Sequence, residues 1–343
     1  MQRKGLLIGV GSVGKHHAKV MAMRYGKLFL VDPATDVHEW AKNNIDCAYE
    51  IFRELPEAIL AISPHASLTT AVISHLAPDH FDAYTMLANA GVRHIVCEKP
   101  ISDSLLAGRA MVDRSDRENI RFTVGFPRRF LNTAKVINAV AESELGGPPS
   151  ALVVHGGAKC LITFGSHFVD LALDVFGSPP LRVAGFGGSQ LINPRRKDLG
   201  YWEGSLSWEF TSNRYLSITF TNQSSVQAHG VLYAPHGTMS LFPNGSVTMA
   251  KRNAEEIAKD PRVTRVGVCV DLPVEVVPPL SPSELNVILD EVEGDSDISY
   301  KSNLIMESLE ALIGGLVAAE TKQVVEFPIS KNHHLYGKSW NVT

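Results

Sequence analysis

Lys4-Gly5-Leu6-Leu7-Ile8-Gly9-Val10-Gly11-Ser12-Val13-Gly14 is followed, a helix length later, by Leu28-Phe29-Leu30-Val31-Asp32. The first apolar run, Gly5 to Ile8, is short enough to be a buried strand, and a glycine turn leaves it at once. Residues 13–24 read as a helix, and the second apolar run reads as a strand that ends on an acid. Strand, turn, helix, strand and acid stand in the order that a dinucleotide site requires. Gly9 permits the tight turn, Gly11 lets the backbone approach a pyrophosphate, and Gly14 lets the helix pack closely on the strand. The N–H groups of Ser12, Val13 and Gly14 open the helix and face the phosphates with its positive end. Asp32 follows Gly14 by 18 residues. A carboxylate there accepts the ribose hydroxyls and repels a 2′-phosphate, so the expected cofactor is NAD rather than NADP. Gly9 to Lys15 also fits the phosphate loop G-x-x-x-x-G-K, but its next residue should be Ser or Thr and is His16. His16 and His17 read as first-turn surface residues without a role.

Further along, residues 37–43 read as a polar helix, and Leu55 to Ile62 mixes helical and strand character without resolving either. The β-branched run Leu68 to Ser74 predicts another parallel strand, followed by the loop His75-Leu76-Ala77-Pro78-Asp79-His80. Phe81 to Asn89 has helical spacing, stopped by Gly91. The strand His94-Ile95-Val96-Cys97 then delivers Glu98-Lys99-Pro100 at its carboxyl end, over the same edge as the glycine turn. Lys99 reads either as half of a surface ion pair with Glu98 or as a site lysine.

These pieces together resemble the glucose–fructose oxidoreductase/inositol dehydrogenase (Gfo/Idh/MocA) family. The glycine turn, Asp32, His80 placed 11 residues before Gly91, and Glu98-Lys99-Pro100 carry the likeness, with Val124-Gly125-Phe126-Pro127-Arg128-Arg129-Phe130 and the G-x-H-x-x-D of Gly165 to Asp170. The resemblance implies an α/β fold: a Rossmann dinucleotide-binding domain over 1–123, then an α+β domain over 124–343 with an open, mostly antiparallel sheet. That sheet is often an oligomer interface in the family, so a homodimer or homotetramer is expected. It also implies an NAD-dependent oxidoreductase that moves a hydride between nicotinamide and a carbinol or ketone of a sugar, cyclitol or sugar nucleotide. Lys99 would hold the hydroxyl and His167 would exchange its proton. His75, His80, Glu98 and Lys99 would join Gly9, Gly11, Ser12, Val13, Gly14 and Asp32 around the cofactor. Arg129, Lys159 and Thr163 are candidate substrate contacts, and no metal ligands are expected. Many members carry an aspartate four residues before the histidine, where this chain has Thr163, and a Thr-Pro pair is common where it has His75-Leu76. Threonine cannot act as a carboxylate base. The alternative reading is therefore a non-catalytic sensor or partner-binding protein of the same fold.

In the second half, strand-like runs replace the strand–helix alternation at Ala151–Val154, Ser205–Phe210, Tyr215–Thr221, Val231–Tyr233 and Ser246–Met249. Asn244-Gly245 reads as a hairpin turn, Ser302 to Thr321 as a long helix, and Arg195–Asp198 and Ala254–Arg265 as solvated loops. With 343 residues, 45% apolar and 20% charged, the composition is that of a globular protein of two domains. A net charge of −4 gives no footprint for nucleic acid or an anionic membrane. Cys47, Cys97, Cys160 and Cys269 lack metal or redox spacing and read as reduced cysteines of a cytoplasmic protein. The first strand begins too early to leave room for a signal peptide, and the apolar stretch Leu309–Ala319 is too short to span a bilayer.

Overall fold

A computed structural model describes residues 3–192, 200–242, 246–259, 274–277 and 285–340. The chain forms two compact units. The first takes in 1–130, 284–309 and 334–343, and the second 131–283 and 310–333. After leaving the first unit at residue 130, the chain returns to it twice.

The first unit is built on six parallel strands, β1 (Lys4–Ile8), β2 (Lys27–Val31), β3 (Ala48–Phe52), β4 (Thr69–Ile73), β5 (His94–Cys97) and β6 (Arg121–Val124), in the order β3-β2-β1-β4-β5-β6. The helices of this layer are α1 (Ser12–Arg24), α2 (Asp36–Asn44), α3 (Leu55–Ile62), α4 (His80–Asn89), α5 (Leu105–Glu118) and the single turn α6 (Pro127–Phe130). β1, β2, β4 and β5 are almost continuous apolar runs, as strands covered on both faces must be. Leu6, Leu7, Leu28, Leu30, Ala71, Ile73 and Ile95 are fully buried. Strand order reverses between β1 and β4, so their carboxyl ends flank the switch point where such sheets bind ligands. Leu55–Ile62 resolves as helix, with Pro56 in its first turn, where the missing N–H costs nothing.

In the second unit, α7 (Thr133–Leu145) and α8 (Ser166–Phe176) precede and follow β7 (Ala151–Gly156). The other strands are β8 (Pro180–Ile192), β9 (Gly200–Phe210), β10 (Arg214–Phe220), β11 (His229–Ala234), β12 (Gly237–Leu241), β13 (Val247–Lys251), β14 (Val274–Val277) and β15 (Val325–Glu326). They form one nine-stranded sheet, β14-β13-β12-β11-β7-β10-β9-β8-β15, antiparallel except between β7 and β10. Side chains alternate along each strand: Leu216, Ile218 and Phe220 of β10 are buried, while Tyr215 is half exposed. β12 and β13 pair from Leu241 to Val247; the Asn244-Gly245 turn between them, Arg195–Asp198 and Cys269 lie outside the described residues. Ala254–Lys259 is helical (α9), not the loop expected, and the remainder of that insertion is outside the described residues.

α10 (Leu285–Glu293) packs on α1, α6, β5 and β6 of the first unit through Leu285, Ile288, Leu289 and Val292. α11 (Ser302–Thr321) has the bounds expected of it. Its buried second half meets β9, where the Trp208 indole N–H donates to the Ala311 carbonyl at 3.0 Å. Cys47, Cys97 and Cys160 are free thiols. Among the described residues no helix is long and apolar enough to cross a membrane.

Candidate active site

The glycine turn sits at the switch point, and its geometry is fixed from three directions. Gly9 has φ +90°, donates its N–H to the Val31 carbonyl at 2.9 Å, and leaves no room for a side chain against the backbone of His75. Ser74, just past β4, donates its hydroxyl to the Gly9 carbonyl at 2.6 Å and so ties the first loop to the second. Sequence reasoning passed over Ser74, since a lone serine after a strand carries no pattern. Gly14 lies directly against the Gly9 carbonyl. Gly11, by contrast, faces open space: nothing stands within 4 Å of where a Cβ would be. It is also the N-cap of α1 and offers no side-chain acceptor, so the first N–H groups of that helix await an outside partner.

Asp32 follows β2. Its Oδ2 accepts the Val10 N–H at 2.7 Å and its Oδ1 the Ala34 N–H at 2.9 Å. A carboxylate has about four acceptor positions, so each oxygen can accept a further hydrogen bond. Lys15 is turned away from the turn, paired with Asp36 at 3.2 Å and lying over the Trp40 ring. The phosphate-loop alternative thereby loses its lysine. An open cradle at Gly11, an uncapped helix start and a braced acid together fit a dinucleotide.

His17, expected at the surface, is instead buried, with 8% of it exposed. The buried residues of α1 include 14, 17, 18 and 21, one helical face, and His17 belongs to it. Its Nε2–H donates to Glu98 Oε1 at 2.7 Å, while Nδ1 is buried without a partner. The second Glu98 oxygen accepts the Lys99 N–H at 3.2 Å. Burial pushes the Glu98 carboxyl up, but the His17 hydrogen bond and the charges of His17 and Lys99 outweigh it and hold the group below the ordinary value. Glu98 therefore directs its carboxylate to protein groups rather than forming a surface ion pair.

His80 is 1% exposed. Its Nδ1 lies 3.0 Å from the Pro100 carbonyl and 3.2 Å from Cys97 Sγ, and its Nε2 lies 3.2 Å from the His75 carbonyl. His80 thus braces the segment that carries Lys99 from beneath. The His75 ring stacks on it at 5.3 Å. Burial, and then the neighbouring His80, push His75 down to about 4, so at neutral pH it presents an uncharged imidazole beside the glycine turn. Arg129, in α6, is 9% exposed, with its guanidinium 4.6 Å from the Tyr300 ring centroid, a packing position within the first unit.

In the second unit, the segment 157–167 brings Lys159 and His167 against Phe164, with Thr163 next to it in the chain. The Lys159 ammonium lies 5.4 Å over the Phe164 ring, and the His167 ring meets its edge at 6.0 Å. His167 stands in the first turn of α8, and Ser166 donates its hydroxyl to the Thr163 carbonyl at 2.9 Å, fixing the turn that presents both. Asp170, one turn on, is 2% exposed.

Residues 3–126 match the family GFO_IDH_MocA, described as an oxidoreductase family with an NAD-binding Rossmann fold. Over 279 residues the chain is 26% identical to the uncharacterized oxidoreductase YrbE of Bacillus subtilis (strain 168), a match covering 74% of this chain and 78% of YrbE. It also resembles the WlbA dehydrogenase from Bordetella pertussis, solved with NADH and UDP-GlcNAcA (TM-score 0.68, 18% identity, 96% of this chain and 100% of that one). Scyllo-inositol dehydrogenase from Lactobacillus casei, solved with NAD(H) and scyllo-inositol, has a TM-score of 0.66 at 15% identity, covering 95% and 99%. At these identities the two solved structures show a shared fold.

Proposed function

We propose that this chain, whose residues 3–126 match an oxidoreductase family with an NAD-binding Rossmann fold, transfers a hydride between nicotinamide and a carbinol or ketone of a sugar, cyclitol or sugar nucleotide. The observation that carries the reading is the cradle at the switch point, an open Gly11 beside a braced Asp32, with Lys99 delivered at the end of β5 in the same sheet. The substrate class is taken from relatives solved with UDP-GlcNAcA and with scyllo-inositol. When bound, nicotinamide supplies the acceptor or donor of the hydride. The protein must then hold the hydroxyl and manage its proton. Lys99 is assigned to hold the hydroxyl and favour its deprotonation, and His167 to exchange the proton. Lys159 and Thr163 are assigned to orient the substrate. Steady-state turnover on a panel of sugars, cyclitols and nucleotide sugars tests this. Lys99→Met and His167→Ala are each expected to lower kcat by about 100-fold or more, the scale of a lost positioned acid/base. Unchanged turnover in both would remove the assignment.

Asp32 sets the cofactor preference in this reading. Asp32→Ala is expected to weaken NADH binding by about 1.5–3 kcal/mol, the worth of a charge-assisted hydrogen bond, and to narrow the gap to NADPH. Paired fluorescence titrations of the two cofactors measure both effects; an unaltered NADH affinity means that Asp32 does not touch the ribose. Thr163 favours a second reading, a cofactor-binding sensor without turnover. Repeated, substrate-dependent change in nicotinamide absorbance ends that reading.

A further inference from the structure

His17 and Glu98 take no part in the chemistry assigned above, yet they join the helix of the glycine turn to the segment that carries Lys99. His17 lies three residues after Gly14, on the helix whose first turn faces the phosphates. Glu98 immediately precedes Lys99. One carboxylate oxygen accepts from the His17 imidazole at 2.7 Å and the other from the Lys99 backbone N–H at 3.2 Å. Gly125 closes the pocket on another side: a Cβ there would stand 3.2 Å from Glu98 Oε1. The Glu98 N–H is held in turn by the Ile73 carbonyl at 2.8 Å. The carboxylate is thus held by groups from α1 and from its own segment, with little room to rotate. A largely buried pair of this kind, its side chains 10% and 17% exposed, adds little net stability over apolar side chains of equal volume. What it supplies is direction, because a hydrogen bond fixes distance and angle where apolar packing does not.

We propose that His17 and Glu98 are positioning residues that hold Lys99 in register with the phosphate-binding end of α1, so that dinucleotide binding and placement of the Lys99 amine are coupled. The proposal rests on the dinucleotide reading of the glycine turn and on Lys99 as the residue that meets the substrate hydroxyl. Gln can replace the Nε2–H donor of histidine, whereas Leu fills similar space and donates nothing. The pair of variants at His17 therefore separates direction from packing.

The test uses the full chain and needs no substrate. Acylation of Lys99 by acetic anhydride is followed by peptide mass spectrometry, with the other lysines as internal standards, in the presence and absence of NADH. NADH affinity is measured by fluorescence and the melting temperature in parallel. In the wild type, NADH is expected to slow Lys99 acylation at least about fivefold, and His17→Gln is expected to preserve that protection within about twofold. His17→Leu and Glu98→Gln are expected to reduce the protection below about twofold and to weaken NADH binding roughly tenfold. Equal impairment in His17→Gln and His17→Leu would reduce the pair to a structural contact, and full protection with unchanged affinity in His17→Leu would also overturn the proposal. If the wild type binds no NADH, the dinucleotide reading fails by itself. The pair is then decided by Lys99 acylation without cofactor, in which His17→Leu must depart from His17→Gln by at least about threefold for the positioning role to stand.

Discussion

Replacing Glu293 with alanine is expected to lower the stability of the protein by about 3–5 kcal/mol, the combined cost of two orphaned hydroxyls and of a partly buried ion pair that loses one partner. Glu293 is the last residue of α10, and its side chain is 10% exposed. One oxygen accepts the hydroxyls of Thr70 at 2.5 Å and Tyr25 at 2.6 Å; the other accepts the Arg24 guanidinium through Nε at 2.9 Å and Nη2 at 2.6 Å. Alanine leaves the Thr70 hydroxyl, 0% exposed, and the Tyr25 hydroxyl without this acceptor, and it deprives Arg24 of its more buried partner. Each orphaned hydroxyl alone costs about 1–3 kcal/mol. For a chain of this size, a fall in melting temperature of roughly 4–7 °C follows, readable by thermal denaturation.

The same group sets a pH dependence. Burial pushes the Glu293 carboxyl up, but hydrogen bonds from Thr70, Tyr25 and Arg24, together with the Arg24 charge, leave it below the ordinary value of 4.5. A group with a depressed folded value contributes stability above its unfolded value and loses it as pH falls through the folded one. The difference in melting temperature between wild type and Glu293→Gln should therefore be full at neutral pH and shrink below about pH 4. A difference independent of pH would mean that the carboxylate charge contributes nothing there.

Glu293 also marks where local pattern ceases to inform. It lies 269 residues from Arg24 and 223 from Thr70, and nothing in the spacing of either announces the partner. For the same reason the return of 284–309 to the first unit was not legible. The first strands, the turn and Asp32 were legible because continuous apolar runs, glycine spacing and a terminal acid are local signals. β3 was missed because Ala48 and Glu50 are exposed along this edge strand, which breaks the apolar run. α3 was ambiguous because Leu60 lies 77% exposed and blurs the helical period. His17 could have been found: its position on the 14, 17, 18, 21 face of α1 predicts burial, and a buried imidazole needs a partner. That the partner would be Glu98 depended on the parallel stacking of β1, β4 and β5, which only the fold supplies. The second unit was legible as strands, whereas Lys159, Thr163 and His167 were reached through the family resemblance and not through any local pattern. The Phe164 platform for Lys159 and His167 arises from an irregular loop with no period to read.

Gly14→Ala is expected to abolish useful NADH binding, with a loss of about 3 kcal/mol or roughly 100-fold. The added methyl would stand 2.0 Å from the Gly9 carbonyl oxygen and 2.9 Å from its carbon, both backbone atoms. Gly9 cannot readily yield, since its N–H is bonded to Val31 and its carbonyl accepts the Ser74 hydroxyl. The helix start must move instead, and with it the N–H groups meant for the phosphates. A fall of several degrees in melting temperature accompanies that displacement. Gly11→Ala supplies the contrast. Nothing lies within 4 Å of its added methyl, and Gly11 does not have positive φ. The cofactor-free protein should accept alanine there with its melting temperature within about 1 °C, because a surface methyl in open space displaces nothing. NADH affinity should nonetheless fall at least about tenfold, since the methyl occupies the space that the pyrophosphate needs. Fluorescence titration and thermal denaturation of the two variants separate these effects. Stability lost at Gly14 but kept at Gly11, with binding lost at both, is the pattern of a turn shaped for a dinucleotide. Binding retained in Gly11→Ala would show that the open space beside Gly11 is not where the phosphates lie.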